Sequence, residues 1–69
     1  MLFEDTFKRE ILPGALVVYP ARPGGRGPLV LEAAHVDSLD HALGEITVIP
    51  VDGNRPVRIS RWDRVAVVA

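Results

Sequence analysis

From residue 14 onwards, the sequence is divided into short apolar runs separated by glycine and proline. The runs are rich in β-branched residues and read "ALVVYP", "LVLEAAHV", "EITVIPV", "RPVRIS" and "RVAVV". β-Branched and aromatic side chains fit the pleated surface of a sheet, and alternation with a period of two turns one face towards a core. The sequence therefore predicts five short strands.

The alternation also assigns side chains to faces. In the second run, Leu29, Leu31 and Ala33 share a face opposite Glu32. In the fourth run, Val57 and Ile59 are expected to face inwards, because the residues between and after them are polar. The same reasoning places Val48 of the third run in the core.

The connections differ in length and composition. "ARPGGRGP" has the glycine and proline content of a long loop, and "RWD" marks a short corner before the last strand. "DSLDHALG" predicts a turn or a single helical turn, with Ser38 as its N-cap and Gly44 as its end. "DGN" predicts a tight hairpin, because glycine and asparagine tolerate a positive φ.

Residues 1–12 are predicted to form a short helix. Phe3, Phe7 and Ile11 recur every four residues and would share one face of it, and Pro13 with Gly14 would end it. A helix this short is not stable alone, so we expect its apolar face to lie on another surface.

Size favours closure of the sheet. A chain of 69 residues without cysteine forms one domain with a thin core and no disulfide. A small all-β chain also has to protect its sheet edges, and a barrel removes them. We therefore predict an all-β fold, a five-stranded barrel over residues 13–69 preceded by the helical segment 1–12.

The order of parts resembles the Src-homology-3-like small barrels, which include the KOW and Tudor domains. That order is a long loop after the first strand, a shorter connector, a tight hairpin and a corner before the last strand. "PGALVVYPARPGGRGPLVLEA" is similar to the KOW pattern of glycine, apolar pair, basic glycine loop and apolar strand, but it lacks the usual lysine-glycine pair. The chain also resembles small barrel proteins encoded by actinobacterial phages, so a bacteriophage source is expected.

Charge limits the classes of partner. The net charge is −1, whereas sequence-independent nucleic-acid binders usually carry a clear positive excess. Arginines are nevertheless concentrated after residue 20, which allows one basic face. The apolar runs are too short to cross a bilayer, and the N-terminus is acidic where a signal peptide is basic. We predict a cytoplasmic protein that has no membrane partner.

No motif in the sequence indicates catalysis. His35, Asp37, Asp40 and His41 lie close together, but their spacing matches no metal-ligand motif, and a strand end running into a solvated turn explains them. Ser60, like the other serine, lies outside any nucleophile elbow. The chain is also too small to enclose a typical ligand pocket. We predict neither an enzyme nor a bound metal or cofactor.

Aromatic and arginine residues instead suggest a binding surface, since these types are frequent at interface hot spots. The candidate partner-binding residues are Tyr19, Arg22, Arg26, Arg58, Arg61 and Trp62. Four arginines recur every third residue: Arg55, Arg58, Arg61 and Arg64. This spacing would align the side chains on a helix, but the segment is predicted to be strand, corner and strand, so we interpret the spacing as incidental. Several of these arginines should nevertheless crowd one end of the barrel. Trp62 either plugs that end or is an exposed anchor.

Three functions remain open. The first is a protein-interaction or regulatory module that uses these residues. The second is a KOW-like nucleic-acid-binding domain that uses Arg22, Arg26, Arg58 and Arg61, although the loop is also typical of a flexible, solvated crossover. The third is a structural homo-oligomer, most simply a homodimer, that buries Phe3, Phe7 and Ile11 between copies.

Overall fold

The computed structural model describes residues 2–22, 25–53 and 55–69, which form a single five-stranded antiparallel sheet. The strands are β1 (Leu16–Ala21), β2 (Val30–Asp40), β3 (Glu45–Pro50), β4 (Val57–Ile59) and β5 (Ala66–Val67). They lie side by side in the order β4-β3-β2-β1-β5. The prediction of an all-β chain with five strands is confirmed. A 3-10 turn, Trp62–Arg64, forms the corner before β5.

None of the described residues belongs to a helix that is long and apolar enough to cross a membrane.

β2 is the longest strand, and it pairs with β1 on one side and with β3 on the other. Its register against β3 shifts between Val36 and Ser38, so Asp37 is an extra residue. A bulge of this kind bends the strand and increases its twist. It also reverses the alternation of faces, since Val36 is buried before it and Leu39 packs on the core after it. The bulge thus keeps both apolar side chains inside while the sheet curls.

The side chains of β2 alternate between the two faces of the sheet as predicted, but the face that carries Leu31 is exposed to solvent. Leu31 is 74% exposed and Ala33 is exposed, whereas Glu32 is half-buried on the inner face. Tyr19 is the register partner of Glu32, and its hydroxyl donates a 3.2 Å hydrogen bond to the carboxylate. This bond provides a partner for the acidic group, which a site on the core side of a sheet requires.

All five strands contribute to one core. The largest fully buried side chains are Phe3, Ile11, Val17, Ile46, Val48 and Val65. Val57 and Ile59 of β4 and Val67 of β5 pack against this cluster. Val48 therefore lies in the core as predicted, and Ile59 at its margin. Because strands from opposite ends of the sheet share one core, the sheet is strongly curled.

The sheet is curled but not closed. β4 pairs with β3 and β5 pairs with β1, and among the described residues no ladder joins β4 to β5. The closed barrel that the sequence predicts is therefore not found. The two edge strands have three and two residues and so offer few backbone groups for pairing.

The predicted helix over residues 1–12 is wrong. The segment forms a loop in which Glu4 and Glu10 make an isolated antiparallel bridge. Lys8 adopts a left-handed backbone conformation, with φ 63°, which a right-handed helix excludes. The recurrence of Phe3, Phe7 and Ile11 every four residues therefore does not decide the conformation here.

The Asp5 side chain provides the physical reason. One carboxylate oxygen, Oδ1, accepts hydrogen bonds from the N–H groups of Phe7 (2.9 Å) and Arg9 (2.8 Å), and Oδ2 accepts one from Val67 of β5 (2.8 Å). A short acidic side chain that binds nearby backbone N–H groups competes with the helix for them. Burial, with Asp5 only 4% exposed, acts to raise its pKa, but the three hydrogen bonds and the positive charge of Arg9 together outweigh it, and the pKa lies below the usual 3.8.

The N-terminal loop covers the free edge of β5. Besides the Asp5 bond to Val67, the Thr6 N–H donates to the Val65 carbonyl (2.9 Å) and the Arg9 guanidinium donates to the Val67 carbonyl (3.0 Å). An uncovered edge strand would be open to pairing with other chains. The loop therefore protects this end of the sheet.

The three residues of the predicted helical face separate in the fold. Phe3 and Ile11 are buried in the chain's own core, whereas Phe7 is 67% exposed. The Arg9 guanidinium carbon lies 5.7 Å from the centre of the Phe7 ring, which is a cation–π distance. Of the three predicted oligomer contacts, Phe7 is the one that lies on the surface.

Turns occupy the predicted connections where the structure describes them. Residues 41–44 join β2 to β3, and Asp40 rather than Ser38 caps this turn by accepting the N–H groups of Ala42 and Leu43, both at 3.0 Å. Ser38 itself lies in β2. Gly44 ends the turn with φ 67°, as predicted. Parts of the other two predictions, Pro23 and Gly24 of the long loop and Asn54 of "DGN", lie outside the described residues.

Asp5→Asn should separate the loop from β5. The amide can still accept from Phe7 and Arg9, but its NH₂ group would face the Val67 N–H, donor against donor. We expect urea denaturation at pH 7 to show a loss of about 1.5–3 kcal/mol, the range for a hydrogen bond to a charged group. Because the folded pKa is lowered, the wild-type advantage should be present above about pH 4 and vanish as the pH falls below it. Equal stability at pH 7 would contradict this role.

Ile46→Ala and Leu31→Ala form a matched pair that tests the faces of the sheet. Ile46 is fully buried, so its truncation should cost about 2–5 kcal/mol in urea denaturation. Leu31 is 74% exposed, and its truncation should change stability by about 0.5 kcal/mol or less. A Leu31→Ala penalty as large as that of Ile46→Ala would place β2 in the opposite register.

Candidate functional site

A groove of about 400 Å³ lies beside β4 and is partly open to solvent. One wall is the end of β1, residues 19–21, together with Leu29 from the loop that follows. The other wall consists of β4 and the next residues, 57–61, and Arg64 and Val65 complete the lining. We call this site the arginine groove. It occupies the region where a closed barrel would need its remaining strand pairing.

Three arginines line the arginine groove: Arg58, Arg61 and Arg64. All three are exposed. Arg58 is the central residue of β4, Arg61 precedes the 3-10 turn and Arg64 ends it. The change from strand to corner brings these side chains, three residues apart, to one site. The interpretation of their spacing as incidental therefore misses this grouping, which lies in a groove beside β4 and not at the end of a closed barrel.

Arg61 has an acidic neighbour on the same turn. Its Nε lies 3.3 Å from Asp63 Oδ1, and both side chains are more than half exposed. The hydrogen bond from Arg61 lowers the pKa of Asp63. A ligand carboxylate at this position would have to compete with Asp63. Arg58 and Arg64 are therefore the arginines better placed to bind an anion.

The rest of the groove is largely apolar. Leu29 is 58% exposed, and Val57 and Ile59 are half-buried. Tyr19 is only 5% exposed, and its pKa is raised by burial and by the Glu32 carboxylate, which accepts a hydrogen bond from its hydroxyl. Tyr19 is therefore a core residue that forms part of the groove wall, and its hydroxyl is already hydrogen-bonded.

Trp62 has a structural place next to the groove. Its indole N–H donates to the Gly44 carbonyl at 3.2 Å, and its ring meets Phe3 edge-on with centroids 5.3 Å apart. The side chain is half-buried and packs on the core. Of the two interpretations of Trp62, the geometry favours the plug over the exposed anchor.

Arg22 and Arg26 are not among the described residues that line the groove. Both are exposed in the loop between β1 and β2. Of the six predicted partner-binding residues, the structure therefore brings together Tyr19, Arg58 and Arg61.

The histidine and aspartate residues near the β2–β3 turn do not converge. The Asp40 carboxylate accepts backbone N–H groups of its own turn, and the His41 ring packs on Phe3 with centroids 5.0 Å apart. Within the described ranges, no three His, Cys, Asp or Glu side chains are grouped as metal ligands would be.

Sequence reasoning missed Arg64, Leu29 and Pro20 as members of the site. Arg64 belongs to the arginine series, so the series itself was a usable signal. Leu29 and Pro20 had no such signal, because their place depends on how the end of β1 and the long loop approach β4.

Comparisons of the chain with models of known protein families, with curated proteins and with solved structures find no match.

Proposed function

We propose that this chain is a non-enzymatic protein-interaction module that binds an extended acidic segment of a partner protein in the arginine groove. The observation that supports the proposal most directly is the combination of three arginines and an apolar lining in one groove. Arginine binds carboxylates through two parallel hydrogen bonds, and apolar walls bury the aliphatic side chains between them.

The chemistry of the lining favours binding over catalysis. Arginine stays protonated at all ordinary pH values and therefore holds an anion without exchanging a proton with it. The Tyr19 hydroxyl is engaged with Glu32 and is nearly buried. The arginines of the groove thus suit a module that holds or regulates a partner.

The fold type belongs to the same proposal. We assign the chain to the Src-homology-3-like small barrels, of KOW and Tudor layout. The support is the order of parts: a connection between β1 and β2 that is long in sequence, a curled antiparallel sheet around one core, and a 3-10 corner before β5. The lack of pairing between β4 and β5 makes it an open member of that class.

Nucleic-acid binding is the second candidate, because the same three arginines could neutralise phosphates. Two observations weaken it relative to the first. Tyr19 is too buried to stack on a base, and Arg22 and Arg26, on which this candidate depends, are not among the residues that line the groove. A homodimer remains a prediction, and Phe7, exposed beside Arg9, is the residue through which it would form.

The test uses the peptide acetyl-Glu-Val-Glu-Val-Glu-amide, which alternates acidic and apolar side chains, in an NMR titration of the labelled protein. We expect saturable binding that Arg58→Ala and Arg64→Ala each weaken about two- to fivefold, the effect of one exposed ion pair. Arg61→Ala should have a smaller effect, because Asp63 already pairs with Arg61.

Arg55→Ala is the matched control, since Arg55 is exposed in the same segment but does not line the groove. A peptide with lysine in place of glutamate should not bind. If single-stranded or duplex DNA binds in about 50 mM salt and the acidic peptide does not, the nucleic-acid candidate replaces the proposal.

A further inference from the structure

The two edges of the open sheet differ in the hydrogen bonding of their outward backbone groups. At the β5 edge, the Val65 carbonyl and both backbone groups of Val67 are bonded to the N-terminal loop. At the β4 edge, none of the described residues bonds to the outward backbone groups. That uncovered edge borders the arginine groove.

The ladder alternation shows which groups of β4 face outwards. The Val51 N–H donates to the Ala33 carbonyl of β2. Successive residues of a strand direct their backbone groups alternately to the two neighbouring strands, so every second residue before Val51 also bonds to β2. Val48 lies between two of these residues and bonds to β4. Val48 is the register partner of Val57. Val57 and Ile59 thus bond to β3, and the N–H and carbonyl of Arg58 point towards the free edge.

The end of β1, which forms the opposite wall of the arginine groove, cannot pair with an added strand in the same way. The Val68 N–H donates to the Leu16 carbonyl, so alternate residues after Leu16 direct their backbone groups to the β5 side of β1. Beyond the end of β5, the next such position is Pro20, which has no N–H to donate. A strand that enters the groove therefore pairs with β4.

We infer that the segment bound in the arginine groove adds to the sheet as a sixth strand, antiparallel to β4, with an acidic residue opposite Arg58. This inference rests on the proposed function and specifies the geometry of the ligand. In an antiparallel pair of this type, the residue opposite Arg58 exchanges both backbone hydrogen bonds with it.

The side-chain pattern of the ligand follows from the same geometry. Directly opposed residues of neighbouring strands have side chains on one face, so the acidic residue meets the Arg58 guanidinium. The residues on either side of it face the core side, next to Val57 and Ile59, and should be apolar. Three residues of strand span about 10 Å, so a segment with one acidic residue between two apolar ones is the minimal ligand.

The experiment compares two N-methylated forms of acetyl-Glu-Val-Glu-Val-Glu-amide in the same NMR titration. In the inferred register, the glutamate N–H groups face β4 and the valine N–H groups face away. Methylation of the three glutamate nitrogens should weaken binding about tenfold, whereas methylation of both valine nitrogens should change it about threefold or less. The ratio between the two forms should persist in Arg58→Ala, because alanine keeps the backbone N–H and carbonyl.

The outcomes separate this inference from the proposed function. If the unmethylated peptide binds and both methylated forms bind alike, the added strand is wrong, although the acidic ligand stands. If methylation of the valine nitrogens weakens binding more than methylation of the glutamate nitrogens, the stated register is overturned. If the unmethylated peptide does not bind, the proposed function fails and the inference fails with it. If the free protein is a dimer in which the Arg58 amide is already protected from hydrogen exchange, a second copy occupies the β4 edge and overturns the inference, whereas a dimer through Phe7 that leaves this amide exposed does not.

Discussion

The architecture depends on the Asp5 carboxylate. By accepting the N–H groups of Phe7, Arg9 and Val67, it prevents a helix from forming at the start of the chain and fastens that segment to β5. Phe3, within the same segment, then enters the core and supports Trp62. One buried acidic group thus determines both the conformation of the N-terminus and the protection of one sheet edge.

Among the described residues, the protection of the β5 edge by the N-terminal segment has no counterpart at the β4 edge. The bulge at Asp37 curls the sheet so that β4 and β5 pack on a shared core, yet no described pairing closes it. The β5 edge is covered by the chain itself, and the β4 edge is left beside a groove with cationic and apolar walls. A natural protein usually blunts an exposed edge, so an edge that combines free backbone groups with recognition chemistry is a reasonable place for a partner.

The sequence predicts the strands well, because local chemistry is sufficient for them. β-Branched runs, Gly44 and the corner at Trp62 all act over a few residues. The helix prediction failed because Asp5 binds the N–H groups of Phe7 and Arg9 and is held in place by a third bond from Val67, 62 positions away, which local spacing does not reveal. The exposed side of β2 could not be predicted either, since Leu31 and Ala34 make both faces apolar, and the buried face is the one that carries Ala34 and the bond from Tyr19 to Glu32. Of the candidate site, the grouping of Arg58 and Arg61 follows from the strand and the corner, whereas the position of Leu29 depends on long-range packing.

The central claim is that Arg58 presents a free backbone edge to an acidic strand. Amide hydrogen exchange of Arg58, followed by NMR with and without acetyl-Glu-Val-Glu-Val-Glu-amide, tests it most directly. In the free protein this amide should exchange rapidly for a strand residue, while the Val57 amide, bonded to β3, is protected. Saturation with the peptide should slow exchange at Arg58 by about tenfold or more, as expected for one new backbone hydrogen bond. An Arg58 amide already protected in the free protein, or unchanged by bound peptide, would contradict the account.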